Sequence, residues 1–132
     1  MAGYSGTPLV KKLGIKPDAL VALLGAPPAF ERLLRPVPAG VRFTTRAAGE
    51  PALVIWFATS QRALEGRVQD VARLIGRGAG LWIAWPKRAS GVATDLSEDV
   101  VRAAGLAHDL VDYKVCAIDE TWSGLKFARR RT

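Results

Sequence analysis

Three apolar runs constrain this chain more than any other feature. Residues 19–24, 52–58 and 81–85 contain no polar side chain, and each stops at a breaker: Gly25, Thr59 and Pro86. Short runs without alternation are what strands buried on both faces require. Between the last two lies a helical pattern. Leu64, Val68, Val71, Ala72 and Ile75 share one face, and Arg62, Glu65, Arg67, Gln69 and Arg73 take the other. A buried strand, an amphipathic helix and a second buried strand make a parallel crossover, so the chain is expected to build its core around a parallel sheet.

The remaining elements extend that pattern. Residues 9–13 predict a helical turn ended by Gly14. After the turn at 25–28, a short helix places Phe30, Leu33 and Leu34 inward, and Pro36 closes it. Residues 41–45 alternate as an edge strand does. Asp95, with Glu98 three residues on, has capping-box spacing, so a helix is expected from Asp95 with Val100, Val101 and Ala104 inward and Gly105 as its stop. Residues 111–118 and 125–129 predict a hairpin around the loop at 119–124. The order β-α-β-β-α-β-α-β-β gives a three-layer, Rossmann-like α/β domain, mainly parallel, with a C-terminal antiparallel hairpin. Only residues 46–51 join the second and third strands, whereas a parallel crossover usually takes a dozen or more. The second strand is therefore either antiparallel or reached by an extended link.

A chain of 132 residues makes a single domain, with 1–8 and 130–132 expected to be loose ends. Its formal net charge of +7 favours anionic partners: a small anion, an acidic macromolecule or nucleic acid. Lys11, Lys12 and Lys16 cluster near one end and Arg129, Arg130 and Arg131 at the other. Cys116 is the only cysteine, which excludes an intrachain disulfide and suits a cytoplasmic protein. No apolar run approaches the roughly 18 residues of a membrane span. Nothing in the sequence sets an oligomeric state.

Ligands of such sheets sit outside the carboxyl ends of the strands. A dinucleotide or S-adenosylmethionine needs glycines in the first strand-to-helix turn, so that the backbone approaches closely and amides point at the ligand. Only Gly25 is present, followed by Ala26, Pro27 and Pro28, and two prolines remove two donors. Thr44, Thr45 and Arg46 stand where an acidic ribose ligand belongs. No standard cofactor is expected. The anion-binding candidates are Gly25, Thr59, Ser60, Lys87, Arg88, Ser90, Gly91 and Thr94, which combine positive charge, small hydroxyls and a following helix N-terminus. Asp119, Glu120 and Trp122 are secondary candidates for acid–base or stacking work, although loop carboxylates more often cap turns. Trp56 and Trp82 read as core, Trp85 and Trp122 as cleft residues, and Cys116 as a small core residue. No metal-ligand spacing, P-loop or nucleophile elbow is present.

Two resemblances add to this. From residue 52 to residue 129 the element order is similar to the C-terminal half of a class I methyltransferase fold, in which two βα units precede an antiparallel hairpin. The segments Tyr4-Ser-Gly-Thr-Pro-Leu, Lys12-Leu-Gly-Ile-Lys-Pro17, Leu24-Gly-Ala-Pro-Pro28, Trp85-Pro-Lys, Gly91-Val-Ala-Thr-Asp95 and Asp119-Glu-Thr-Trp-Ser-Gly124 resemble a family of small bacterial proteins, a domain of unknown function. That resemblance implies a bacterial cytosolic setting and no activity. The sequence thus leads to a non-catalytic binding module with an anion-favouring crevice. Its alternatives are an enzyme with an unusual site in that crevice, using Asp119, Glu120 or His108 as acid or base, and a nucleic-acid-binding protein using the basic surface.

Overall fold

The computed structural model describes residues 6–131. The expectation of loose ends at 1–5 and 132 lies outside the described residues. In chain order the elements are α1 (Leu9–Leu13), β1 (Leu20–Leu24), α2 (Phe30–Leu33), β2 (Arg42–Thr44), β3 (Leu53–Phe57), α3 (Gln61–Arg73), β4 (Gly80–Pro86), a 3-10 turn (Arg88–Ser90), α4 (Glu98–Leu106), β5 (Leu110–Ala117) and β6 (Trp122–Arg129).

The six strands form one sheet in the order β2-β1-β3-β4-β6-β5. The first four are parallel, and β6 is antiparallel to both β4 and β5. The three apolar runs are the three central strands. Alternate residues serve opposite faces. Ala22, Leu24, Val54, Trp56, Leu81 and Ile83 face Leu64, Val68 and Val71 of α3 and Val101 of α4. Val21, Leu23, Ile55, Phe57, Trp82 and Ala84 face Val10 and Leu13 of α1 and Phe30 of α2. This is the expected Rossmann-like three-layer arrangement.

The second strand is parallel to β1, so the link is the extended one. Three-residue and five-residue strands are short enough for a segment without a helix to return the chain to the far end. Its last residue, Ala52, donates to Leu20 O at 2.9 Å.

Several local expectations are corrected. Leu33 is 51% exposed, so α2 buries only Phe30, with Leu34 just beyond it. The N-cap of α4 is Ser97, which accepts from Val100 N, and not Asp95. Gly105 does not stop α4 but lies within it, buried against β6. A Cβ there would stand 2.2 Å from the Phe127 ring, so the residue is set by helix–sheet distance. Trp85 is buried in the core with Leu96 rather than exposed at a strand end. Cys116 is half-buried on the outermost strand rather than in the core.

Candidate functional site

The carboxyl ends of the parallel strands form a crest. β1 ends in residues 25–29, β3 in 58–60 and β4 in 87–97. β5 runs parallel to them, so the hairpin loop at 118–121 arrives at the same end.

The first turn is closed tightly. Gly25 adopts φ 67°, and a Cβ on it would meet Phe57 O at 3.0 Å. Glycine is needed there both for the left-handed backbone and for the approach of β1 to β3. The carbonyl of Pro27 accepts from Phe30 N at 3.1 Å. Phe57 stacks edge-to-face with Phe30 (centroids 4.8 Å apart) and with Trp122 (4.9 Å), so three rings from three elements floor this end of the crest.

The loop after β4 is laced to the loop after β3. Thr94 Oγ1 donates to Thr59 O at 2.6 Å and accepts from Leu96 N. Asp95 Oδ1 accepts from Gln61 N at 2.8 Å, while Gln61 Nε2 donates to Asp95 O. Ser60 Oγ caps α3 through Ala63 N. Ser90 Oγ donates to Lys87 O and accepts from Val92 N, and Lys87 N is bound by Thr121 O. Thr94 is thus brought against Thr59, while Ser60 caps α3 and Ser90 is engaged within its own loop. Arg88, Gly91, Thr94 and Asp95 line a hollow of about 470 Å³ on its outer side. Lys87 is half-buried and Arg88 exposed beside it. Gly25 belongs to another part of the crest, against Phe57. The acids Glu98 and Asp99 already occupy the first turn of α4, which offsets the positive end of that helix.

Asp119 Oδ1 accepts from Thr121 N and Trp122 N, each at 2.8 Å, so its carboxylate caps the hairpin turn. Glu120 is exposed, and His108 follows α4 with its backbone N–H on Gly105 O. Among the described residues no group of three or more His, Cys, Asp or Glu is placed to hold a metal. Sequence reasoning missed Gln61 and Asp95 as the lacing pair. Their spacing of 34 residues leaves no local signal.

Strand order, the reversed β6 and the helices on both faces are those of the class I methyltransferase fold. The chain matches magnesium protoporphyrin IX methyltransferase from Synechocystis with bound S-adenosylmethionine at TM-score 0.62 and 15% identity, covering 92% of this chain and 74% of that one. A Burkholderia thailandensis 1,6-didemethyltoxoflavin N1-methyltransferase with bound S-adenosylhomocysteine matches at 0.60 and 11% identity, covering 98% and 80%. The Methanococcus jannaschii fibrillarin pre-rRNA processing protein matches at 0.54 and 13%, covering 100% and 77%. No family model and no curated protein sequence matches the chain. The expectation of a non-catalytic binding module is corrected by these matches. The scaffold is that of methyltransferase enzymes, and the enzyme alternative is the one they support.

The first turn does not fit S-adenosylmethionine in the glycine-lined manner. Pro27 and Pro28 offer no amide N–H, the Pro27 carbonyl accepts from Phe30 N, and Thr44 Oγ1 at the end of β2 accepts from Arg46 N at 3.1 Å. Thr44, Thr45 and Arg46 at the end of β2 include no carboxylate that could accept from ribose hydroxyls.

Proposed function

We propose that this protein is an enzyme on a methyltransferase scaffold whose active site, at the crest of β1, β3 and β4, has a rebuilt first turn and takes an anionic substrate. The match to methyltransferases across nine tenths or more of the chain is the observation that carries this reading. Lys87 and Arg88 supply the charge that would meet the substrate. The laced segment from Thr94 to Gln61 holds them on a fixed frame, and Trp122 with Phe57 supplies an apolar wall. Rigid support of this kind is what a preorganised site needs. No helix among the described residues is long and apolar enough to cross a membrane. The single cysteine and the resemblance to a bacterial family support a bacterial cytoplasmic setting as part of the same proposal.

The test is a thermal-shift screen against nucleotides, phosphorylated and carboxylated metabolites, S-adenosylmethionine and S-adenosylhomocysteine, followed by turnover assays on every hit. A ligand at 100 times its Kd stabilises by about 2.7 kcal/mol, on the order of 10 °C for a chain of this size. An anionic hit is expected to lose its shift and its turnover in Lys87→Ala/Arg88→Ala. Hits that are indifferent to that double change, or a structure with S-adenosylmethionine seated over Ala26 and Pro27, would overturn the reading.

A further inference from the structure

The opposite end of the sheet carries a second surface with different chemistry. β4 begins there at Gly80 and β6 ends there at Arg129. A hollow of about 590 Å³ is lined by Arg77, Arg129, Arg130, Arg131 and Tyr113, with no acidic residue in its wall. An adjoining hollow shares Arg77 and adds Arg73, with Glu50 as its one acid.

The arginines divide into two roles. Arg129 is consumed by structure: its guanidinium donates to Ala72 O and Ile75 O at the end of α3. Arg77, Arg130 and Arg131 have no ion pair or side-chain hydrogen bond among the described residues. Arg130 is nevertheless held in place, because its backbone N–H donates to Asp109 O at 2.8 Å. Arg130 is therefore presented from anchored backbone, and none of the three cations is paired with a carboxylate among the described residues.

Tyr113 is the aromatic partner. It is the extra residue where the β5–β6 register slips between Asp112 and Lys114. Such a bulge re-aims a side chain. The residue is 59% exposed, its hydroxyl lies 3.7 Å from where a Cβ of Gly80 would stand, and Lys126 Nζ sits 5.8 Å from the ring centroid. An exposed ring backed by a cation and bordered by unpaired arginines offers a base a stacking face and its phosphates their counter-charges.

We propose that this lower edge, centred on Tyr113 with Arg77, Arg130 and Arg131, binds single-stranded nucleic acid. The chain's excess of positive charge is complementary to it. A duplex, whose bases are stacked on one another, gives Tyr113 nothing to stack on. This site is separate from the crest and does not depend on the reading given to it.

The experiment is fluorescence anisotropy of labelled 12-nucleotide single-stranded DNA and RNA, with a duplex of the same sequence, heparin and anionic vesicles as competing arms. The single strand is expected to bind at least tenfold more tightly than the duplex. Arg77→Ala/Arg130→Ala/Arg131→Ala should weaken it at least tenfold and flatten the plot of log K against log salt by about 2, since each phosphate neutralised on a single strand contributes about 0.7. Tyr113→Ala should cost at least about fivefold, the low end for one lost stack, with Tyr113→Phe holding near wild type. Arg62→Ala/Arg67→Ala on the solvent face of α3 removes charge elsewhere and should change affinity less than threefold. Melting temperatures of the variants report that each is folded. Equal binding of duplex, heparin or vesicles, indifference to Tyr113→Ala in a folded variant, or an equal loss in the α3 control would overturn the proposal.

Discussion

Trp82 donates its indole N–H to the carbonyl of Leu13 at 2.9 Å, tying the middle of the central sheet to the end of the first helix. The same carbonyl accepts from Lys126 Nζ at 3.1 Å, and Lys114 Nζ reaches Lys12 O at 2.9 Å. Two lysines of the β5–β6 hairpin thus meet the negative end of α1, and Lys12 returns a bond to Ala117 O. A five-residue helix has little stability of its own, so α1 is held by these bonds and by burial of Val10 and Leu13.

Trp82→Phe is expected to destabilise the fold by about 2–4 kcal/mol, combining the lost donor with the cavity left by the smaller ring. Urea unfolding measures the cost. Limited proteolysis should show cleavage near Gly14 before the sheet opens. Lys126→Met should cost less, because burial and the neighbouring Lys114 and Lys16 already hold the ammonium pKa below its ordinary value. A larger loss for Lys126→Met than for Trp82→Phe would contradict this account.

Alkaline pH gives a second prediction. Burial raises the Cys116 thiol above its ordinary 9.0, although Lys12, Lys114, Lys126 and Lys87 pull the other way. An acid whose folded pKa is raised holds its proton longer when folded than when unfolded. Its contribution to stability is intact below 9.0 and is lost as pH rises past it. Burial also raises Tyr113, which acts in the same sense above 10.0. Lys126, lowered from 10.5, acts in the opposite sense. Comparing wild type with Cys116→Ala isolates the thiol: the wild type should lose urea stability relative to the variant between pH 8 and pH 10. Alkylation by iodoacetamide should likewise have a higher midpoint pH in the native than in the unfolded chain. A coincident pair of midpoints would refute it.

The close approach at Gly105 yields a third. An added methyl would press on the Phe127 ring, so Gly105→Ala should destabilise by about 1–3 kcal/mol despite the better helix propensity of alanine. Phe127→Leu in the same chain should recover part of that loss. Chemical denaturation of both single variants and the double gives the coupling, expected at about 0.5–3 kcal/mol.

The central sheet was legible because residues 19–24, 52–58 and 81–85 are apolar without interruption, and only strands covered on both faces tolerate that. The amphipathic face of α3 was legible for the same reason. The alternation over 41–45 marked β2 as the edge strand it is, but not its direction, because the usual length of a parallel crossover argued against the helix-free link that the short strands allow. Phe30 and Leu33 stand three apart as helix neighbours should, yet α2 is one turn long and turns Leu33 to solvent. At the crest the residue types were legible and their employment was not. Ser60 stands just before the helical pattern of α3, where a serine caps, and it does so through Ala63 N; Thr94 read as an available hydroxyl, but the bonds that occupy it depend on folding the loop back over Leu96. Tyr113 gave no signal, because its exposure comes from a bulge that only the register reveals.

The two caps at the crest separate the sequence expectation from the structure by experiment. Asp95 and Glu98 have the spacing of a box that would start a helix at Asp95. The structure instead gives Asp95 to the N-terminus of α3, through Gln61 N, and gives α4 to Ser97, through Val100 N. Ser97→Ala should therefore cost about 1 kcal/mol and loosen α4 alone, seen as faster amide hydrogen exchange at 100–102. Asp95→Ala should cost a similar amount but speed exchange at Gln61, since the cap it removes belongs to the other helix. Asp95→Asn, which keeps the acceptor oxygen, should be nearly silent. Faster exchange at the start of α4 in Asp95→Ala, with Gln61 unchanged, would restore the capping-box reading and undo the lacing on which the rigidity of the crest rests.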